Sequence, residues 1–171
     1  MTTLRLIYGP DPIFKQTAAP VNAFDDALRA TTEAMCKVMY SEKAVGLGAN
    51  MVGLLQRIIV VDLQIQAERA PMVMVNPVIE ARSEAVQRFE EGSISFPFIS
   101  AEIERPAEIR LTYQDINGNT QPMQAEGWLA TVIQHEIDYL DGVVFLDYLS
   151  KTKRDMLLRR MQKQMRAHGI R

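Results

Sequence analysis

Asn117-Gly118 limits the folds open to this chain more than any other pair of residues. The dipeptide favours the left-handed backbone of a tight hairpin turn, so it predicts two antiparallel strands in register around it. Ile109, Leu111 and Tyr113 alternate just before it, as a half-buried strand requires. Residues 57–63 and 72–76 are further runs of strand length, rich in Val and Ile. Three helical patterns are scattered among these strands. A helix capped by Asp25 or Asp26 reaches about Tyr40, with Leu28, Thr32, Met35 and Met39 on one face. A second starts near Glu126-Gly127 and is stopped by Asp141-Gly142, and a third runs from about Lys151 to His168. This order predicts an α+β fold rather than an alternating parallel sheet.

The 171 residues suit one domain over 1–171, with an ordinary 47% of apolar residues for its core. Residues 44–53 read as a glycine-rich loop, and residues 7–12 as a turn-rich arm. No run approaches the ~18 apolar residues of a membrane span and no secretory signal is visible, so a cytoplasmic protein with no membrane partner is expected. Cys36, the only cysteine, cannot form an intrachain disulfide and reads as buried packing on the first helix.

Charge is distributed unevenly. Residues 151–171 hold eight of the 19 Lys/Arg and one of the 21 Asp/Glu, leaving eleven bases against twenty acids elsewhere. A basic C-terminal helix suits a phosphate backbone, or equally a solvated face packed through Leu157, Met161 and Met165 onto an acidic body. Met156 is expected in the same apolar stripe, and His168 in solvent.

Three segments carry possible chemistry. Gln134-His135-Glu136-Ile137-Asp138-Tyr139-Leu140-Asp141-Gly142 lies on the second helix, where residues i and i+4 share a face. Glu90-Glu91-Gly92-Ser93-Ile94-Ser95-Phe96-Pro97 and Ala44-Val45-Gly46-Leu47-Gly48-Ala49-Asn50-Met51-Val52-Gly53 precede it. In this order and spacing they resemble the three motifs of the peptide deformylase family: H-E-x-x-H, E-G-C-L-S and G-x-G-L-A-A-x-Q-V-G. The likeness extends to the Pro10-Asp11-Pro12 arm and Arg105-Pro106, and runs over essentially the whole chain.

The resemblance implies antiparallel sheets around a central motif-bearing helix, followed by a C-terminal helix. It also implies a divalent metal, Fe2+ or Zn2+, held by the motif-two Cys and both motif-three His. A water on that metal would be deprotonated by the motif Glu, with the motif-one Gln and a backbone N–H stabilising the oxyanion. Carried onto this chain, the ligand positions are Ser93, His135 and Tyr139. Glu136 keeps the general-base position, Ile94 keeps the backbone oxyanion donor, and Met51 replaces the Gln. Val45, Gly46 and Trp128 fall where substrate would be bound.

A hydroxyl and a phenol are poor ligands beside a thiolate and an imidazole, because both stay protonated near neutrality. The sequence therefore predicts no cofactor and a non-catalytic homologue that binds N-terminal Met peptides, formylated or not, or ribosomal RNA through its last helix. No DNA partner is expected. The competing expectation is an active deformylase with a weak or altered metal site, releasing formate from N-formyl-Met peptides. Ser93 with His135 as a nucleophile pair is a further reading, set against a Ser–His–Tyr cluster filling the metal volume. The Tyr139 hydroxyl is expected to bond Ser93 or Glu136.

Overall fold

The computed structural model describes residues 3–171. Helix α1 (Asp26–Ser41) begins where the Asp25 carboxylate accepts the Leu28 N–H at 3.0 Å, satisfying one of the donors that every helix start leaves open. It buries Leu28, Thr32, Met35 and Met39, the face read from their spacing.

Seven strands follow: β1 (Gly46–Gly48), β2 (Ile58–Val61), β3 (Met72–Arg82), β4 (Val86–Ser93), β5 (Phe96–Pro106), β6 (Glu108–Gln114) and β7 (Thr120–Glu126). Five form an antiparallel sheet in the order β1-β2-β3-β6-β7, while β4 and β5 pair separately. The Asn117-Gly118 turn joins β6 to β7 as expected, with Gln114 opposite Thr120. The four residues of β2 are all buried, which explains why that strand reads as a continuous apolar run rather than an alternating one.

Helix α2 (Gly127–Leu140) runs through the middle of the molecule and is buried on nearly every side. Ala130, Val132, Ile133, Ile137 and Leu140 pack with Ile59, Val61, Ile109 and Leu111 of the five-stranded sheet. Tyr139 faces the other way, into a cluster with Phe14, Met51, Phe96 and Phe145. Gly142 ends the helix region at φ +75°, and a Cβ there would lie 2.9 Å from the Lys15 carbonyl carbon, so only glycine fits without movement.

Helix α3 (Lys151–Ala167) starts at Ser150, whose Oγ accepts the Lys153 N–H at 3.2 Å. Leu157, Met161 and Met165 are buried on its inner face, each worth ~1.5–3 kcal/mol when fully removed from water. Among the described residues, no helix is long and apolar enough to cross a membrane.

Several local expectations change. The supposed loop 44–53 contains β1 and a 3-10 turn, Ala49–Val52. Glycine has low strand propensity, and β1 forms because its backbone pairs with buried β2. The strand seen at 72–76 continues to Arg82 past an irregularity between Val75 and Val78. Met156 is 57% exposed and leaves the apolar stripe of α3. Cys36 is half-buried. His168 is exposed as expected, and its ring stacks on Phe98 at 4.8 Å.

Candidate active site

A cleft of about 360 Å³ opens between the motif-one segment, the end of β4 and the buried helix α2. Both strands at its sides are edges. Among the described residues, β1 pairs only with β2, and β4 only with β5. Val45, Gly46, Met51, Ser93, Ile94, Trp128, His135 and Glu136 all line this cleft, so eight of the nine residues singled out from sequence converge on it. Tyr139 is the exception: it is fully buried and sealed behind the cleft floor.

The ninth residue explains the floor. Tyr139 OH lies 2.5 Å from Ser93 Oγ, and the same Oγ accepts the Ser95 N–H at 3.2 Å. Burial raises the Tyr139 phenol above its ordinary value, with Ser93 opposing the shift only in part. The ring is held on its other side by Phe14, edge-on at 5.4 Å, and its carbonyl accepts the Asn50 amide at 2.6 Å.

His135 hydrogen-bonds Glu91 rather than Ser93. Its Nδ1 lies 2.7 Å from Glu91 Oε1. Glu91 accepts from Arg105 as well, through Nε at 2.7 Å and Nη2 at 2.9 Å. Arg105 Nη1 then reaches Asp138 Oδ2 at 2.8 Å, where Tyr148 OH also donates at 2.7 Å. Burial alone would raise the Glu91 carboxyl, but hydrogen bonds from His135 and Arg105 and the Arg105 charge hold it below the usual range. Glu91 is therefore an acceptor, and Nδ1 of His135 carries the proton between them. This replaces the expected Ser–His–Tyr cluster by a Ser–Tyr pair and a separate His–Glu–Arg–Asp chain.

Glu136 has little support beyond the Gly48 N–H. Burial pushes its carboxyl up to about 7, and Oε2 has no hydrogen-bond partner among the described residues. Gly46 lies against it: a Cβ there would come 3.0 Å from both Cγ and Oε1 of Glu136. Met51 does not offer the amide that Gln would. Its Sδ instead accepts the Gly48 N–H at 3.3 Å.

Trp128, 38% exposed, stands in the cleft wall and meets Phe89 edge-on at 5.2 Å. Lys43, Pro97, Thr131 and Val132 also line the cleft without having been singled out in the sequence. Their residue types carry no signal, since each reaches the site through tertiary packing. Arg105 was visible only as half of an Arg-Pro landmark.

This geometry, with its three motifs around one buried helix, is that of peptide deformylases, and the comparisons agree. The family described as polypeptide deformylase matches residues 3–155, and the chain belongs to it. It is 51% identical over 164 residues to a protein named peptide deformylase-like from Rickettsia conorii, covering 96% of this chain and 90% of that one. It is 42% identical to the peptide deformylase of Rhizobium meliloti, covering 99% and 98%. Among solved structures, the peptide deformylase of Legionella pneumophila superposes with a TM-score of 0.93 at 32% identity, covering 99% of both chains. That of Ehrlichia chaffeensis in complex with actinonin gives 0.89 at 35% identity, covering 97% and 99%.

Membership corrects one expectation. The sequence reading expects no cofactor, but the chain belongs to a family of metal-dependent deformylases, so that blanket expectation falls. The side chains at the three ligand positions are a separate matter, and as they stand they do not fit the family's ion. Two oxygens bound tetrahedrally at ~2.0–2.2 Å from one ion stand ~3.4 Å apart. Ser93 Oγ and Tyr139 OH are 2.5 Å apart and share a proton. Among the described residues, no group of three or more His, Cys, Asp or Glu side chains is placed to hold a metal.

Proposed function

We propose that this chain is a peptide-deformylase homologue that binds N-terminal methionine peptides in its cleft without releasing formate. The observation that carries this reading is the Ser93–Tyr139 hydrogen bond, which occupies two of the three ligand positions with protonated hydroxyls. Met51 adds to it, because losing one oxyanion donor typically costs ~2.7–4 kcal/mol of transition-state stabilisation. The cleft itself is retained, bordered by the free edges of β1 and β4. An extended peptide can pair its backbone with such edges while one side chain enters the apolar wall formed by Val45, Val132 and Trp128.

The test is titration of the chain with a short formyl-Met peptide and its deformylated form by calorimetry, alongside an assay for formate. Saturable binding with no formate above the spontaneous rate is expected. Formate release that disappears in Glu136→Gln would instead establish an active deformylase with an altered site.

A second reading concerns α3. Arg159, Arg160, Lys163 and Arg166 are exposed and, among the described residues, none of the four forms an ion pair. Their charges suit the phosphates of ribosomal RNA, while the buried stripe of α3 holds the helix to the body. A cytoplasmic setting beside the ribosome belongs to this proposal. Cosedimentation with ribosomes that falls steeply with added salt supports it, and cosedimentation that is absent or insensitive to salt removes it.

A further inference from the structure

We propose that the cleft prefers peptides with an acidic residue at their third position, whose carboxylate is received by Lys43 at the rim. This inference rests on the peptide-binding reading above and adds the class of peptide that is bound.

The first argument is an unmatched charge. Lys43, Glu91 and Glu136 are the Lys, Arg, Asp and Glu side chains of the lining. Glu91 is paired with Arg105, and Glu136 is enclosed in the floor with its Oε2 sealed from solvent. Lys43 is exposed and, among the described residues, forms no ion pair. It is the charge of the lining that remains open to a ligand.

The second argument is the backbone that carries it. Lys43 has φ +56°, in the left-handed region. Its N–H donates to the Tyr40 carbonyl at 3.1 Å, and the Ala44 N–H donates to the Met39 carbonyl at 2.9 Å. These two bonds close helix α1 at a position where glycine is usual. A lysine there is unfavourable for the backbone alone, and non-glycine residues in this conformation cluster where ligands are held. The segment is also fixed in place. Gln64 Nε2 donates to the Ala44 carbonyl at 2.9 Å, and the Asp62 N–H to the Val45 carbonyl at 2.9 Å.

The third argument is register. Gly46 is buried, Val45 and Ala44 are half-buried, and Lys43 is exposed, so the chain climbs from floor to rim. A peptide antiparallel to β1, with its methionine beside Val45, runs outward along the same path. Alternate residues of an extended chain share a face. The third residue therefore lies two steps beyond the methionine, as Lys43 lies two steps from Val45. The flexible four-carbon stem of lysine carries its ammonium to a carboxylate there.

Peptides of the form formyl-Met-Ala-X-Ala amide, with X as Asp, Asn or Lys, hold both termini constant. Trp128, the only tryptophan, stands in the cleft wall, so its emission reports binding in the cleft rather than on α3. The Asp peptide is expected to bind about three- to fivefold more tightly than the Asn peptide, as one exposed ion pair allows, and the Lys peptide more weakly than both. Raising the salt from ~0.02 M to ~0.5 M should erase the difference. Lys43→Gln should remove the preference, Lys43→Glu should invert it, and Lys43→Arg should keep it. Equal binding of the three peptides by the parent chain would overturn the proposal while leaving the peptide-binding reading intact. An Asp preference that persists in Lys43→Gln would also overturn it, because another cation would then be responsible. No binding of any peptide overturns both. The comparison on the parent chain stands even if a variant fails to fold.

Discussion

Arg105 and Glu91 meet edge to edge, with Nε to Oε2 at 2.7 Å and Nη2 to Oε1 at 2.9 Å, and their side chains are only 3% and 2% exposed. This ion pair fixes the carboxylate that in turn orients His135. It joins strand β4 to β5 and, through Asp138, to helix α2. Two sides of the cleft are thus referenced to one guanidinium.

Removing that guanidinium leaves a buried carboxylate uncompensated. Arg105→Met should lower stability by roughly 3–5 kcal/mol, because breaking one partner of a buried pair exposes the cost of the other. Urea unfolding of the variant against the parent measures it, and a loss below about 1 kcal/mol would mean that the pair is solvated in practice.

Acid should weaken the same contact. The folded-state value of Glu91 is depressed, so its contribution is complete above the ordinary glutamate value of ~4.3 and is lost as the pH falls toward the folded one. The stability difference between the parent and Glu91→Gln is expected to narrow as the pH is lowered from ~6 to ~3.

Glu136 has the opposite sign. Its carboxyl is raised to about 7 by burial, so its contribution is present in full below ~4.3 and is lost as the pH rises through about 7. The span corresponds to roughly 4 kcal/mol, taking ~1.4 kcal/mol per unit. Glu136→Gln should therefore gain on the parent when unfolding midpoints are compared at ~pH 5 and ~pH 8. A constant gap between the two proteins across that range would rule this out.

Tyr139→Phe removes one hydroxyl and strands Ser93 Oγ with only the Ser95 N–H. A loss of ~1–2 kcal/mol is expected by chemical denaturation. Tyr139→Ala should cost ~3–5 kcal/mol, since the ring packs among Phe14, His135 and Met51.

Restoring the family ligands tests how far the site has diverged. Met51→Gln, Ser93→Cys and Tyr139→His together should raise zinc affinity well above that of the parent, because ligands act as a unit. Each single change should alter it little. Elemental analysis after dialysis reads this out. A folded triple variant with the parent's metal content would show that surrounding residues have changed as well.

Much of the fold was legible because its signals are local. Helix α2 was bracketed by Gly127 and Asp141-Gly142, α1 by Asp25, and the β6–β7 turn by Asn117-Gly118, each a backbone preference readable in two or three residues. The β4–β5 pair was missed although Ile99, Ala101 and Ile103 alternate with exposed neighbours along β5. Its partner strand is exposed at four of its eight positions and buried at only one, and the turn at Ser93 carries no Asn-Gly signature. The convergence of Ser93, His135 and Glu136 was recovered from motif order alone. The orientation of His135 was not, because Glu91 and Arg105 lie 44 and 30 residues away and no periodicity joins them.

The N-terminal arm holds both lips of the cleft yet contributes nothing to its lining. Ile7 donates its N–H to the Met51 carbonyl at 2.8 Å, and Gly9 donates to the Ser95 carbonyl at 2.7 Å, so two adjacent links of one segment splint the first motif to the second. The aperture of the cleft is consequently set from behind. Changes in those few residues would retune its width without altering a single residue of its lining.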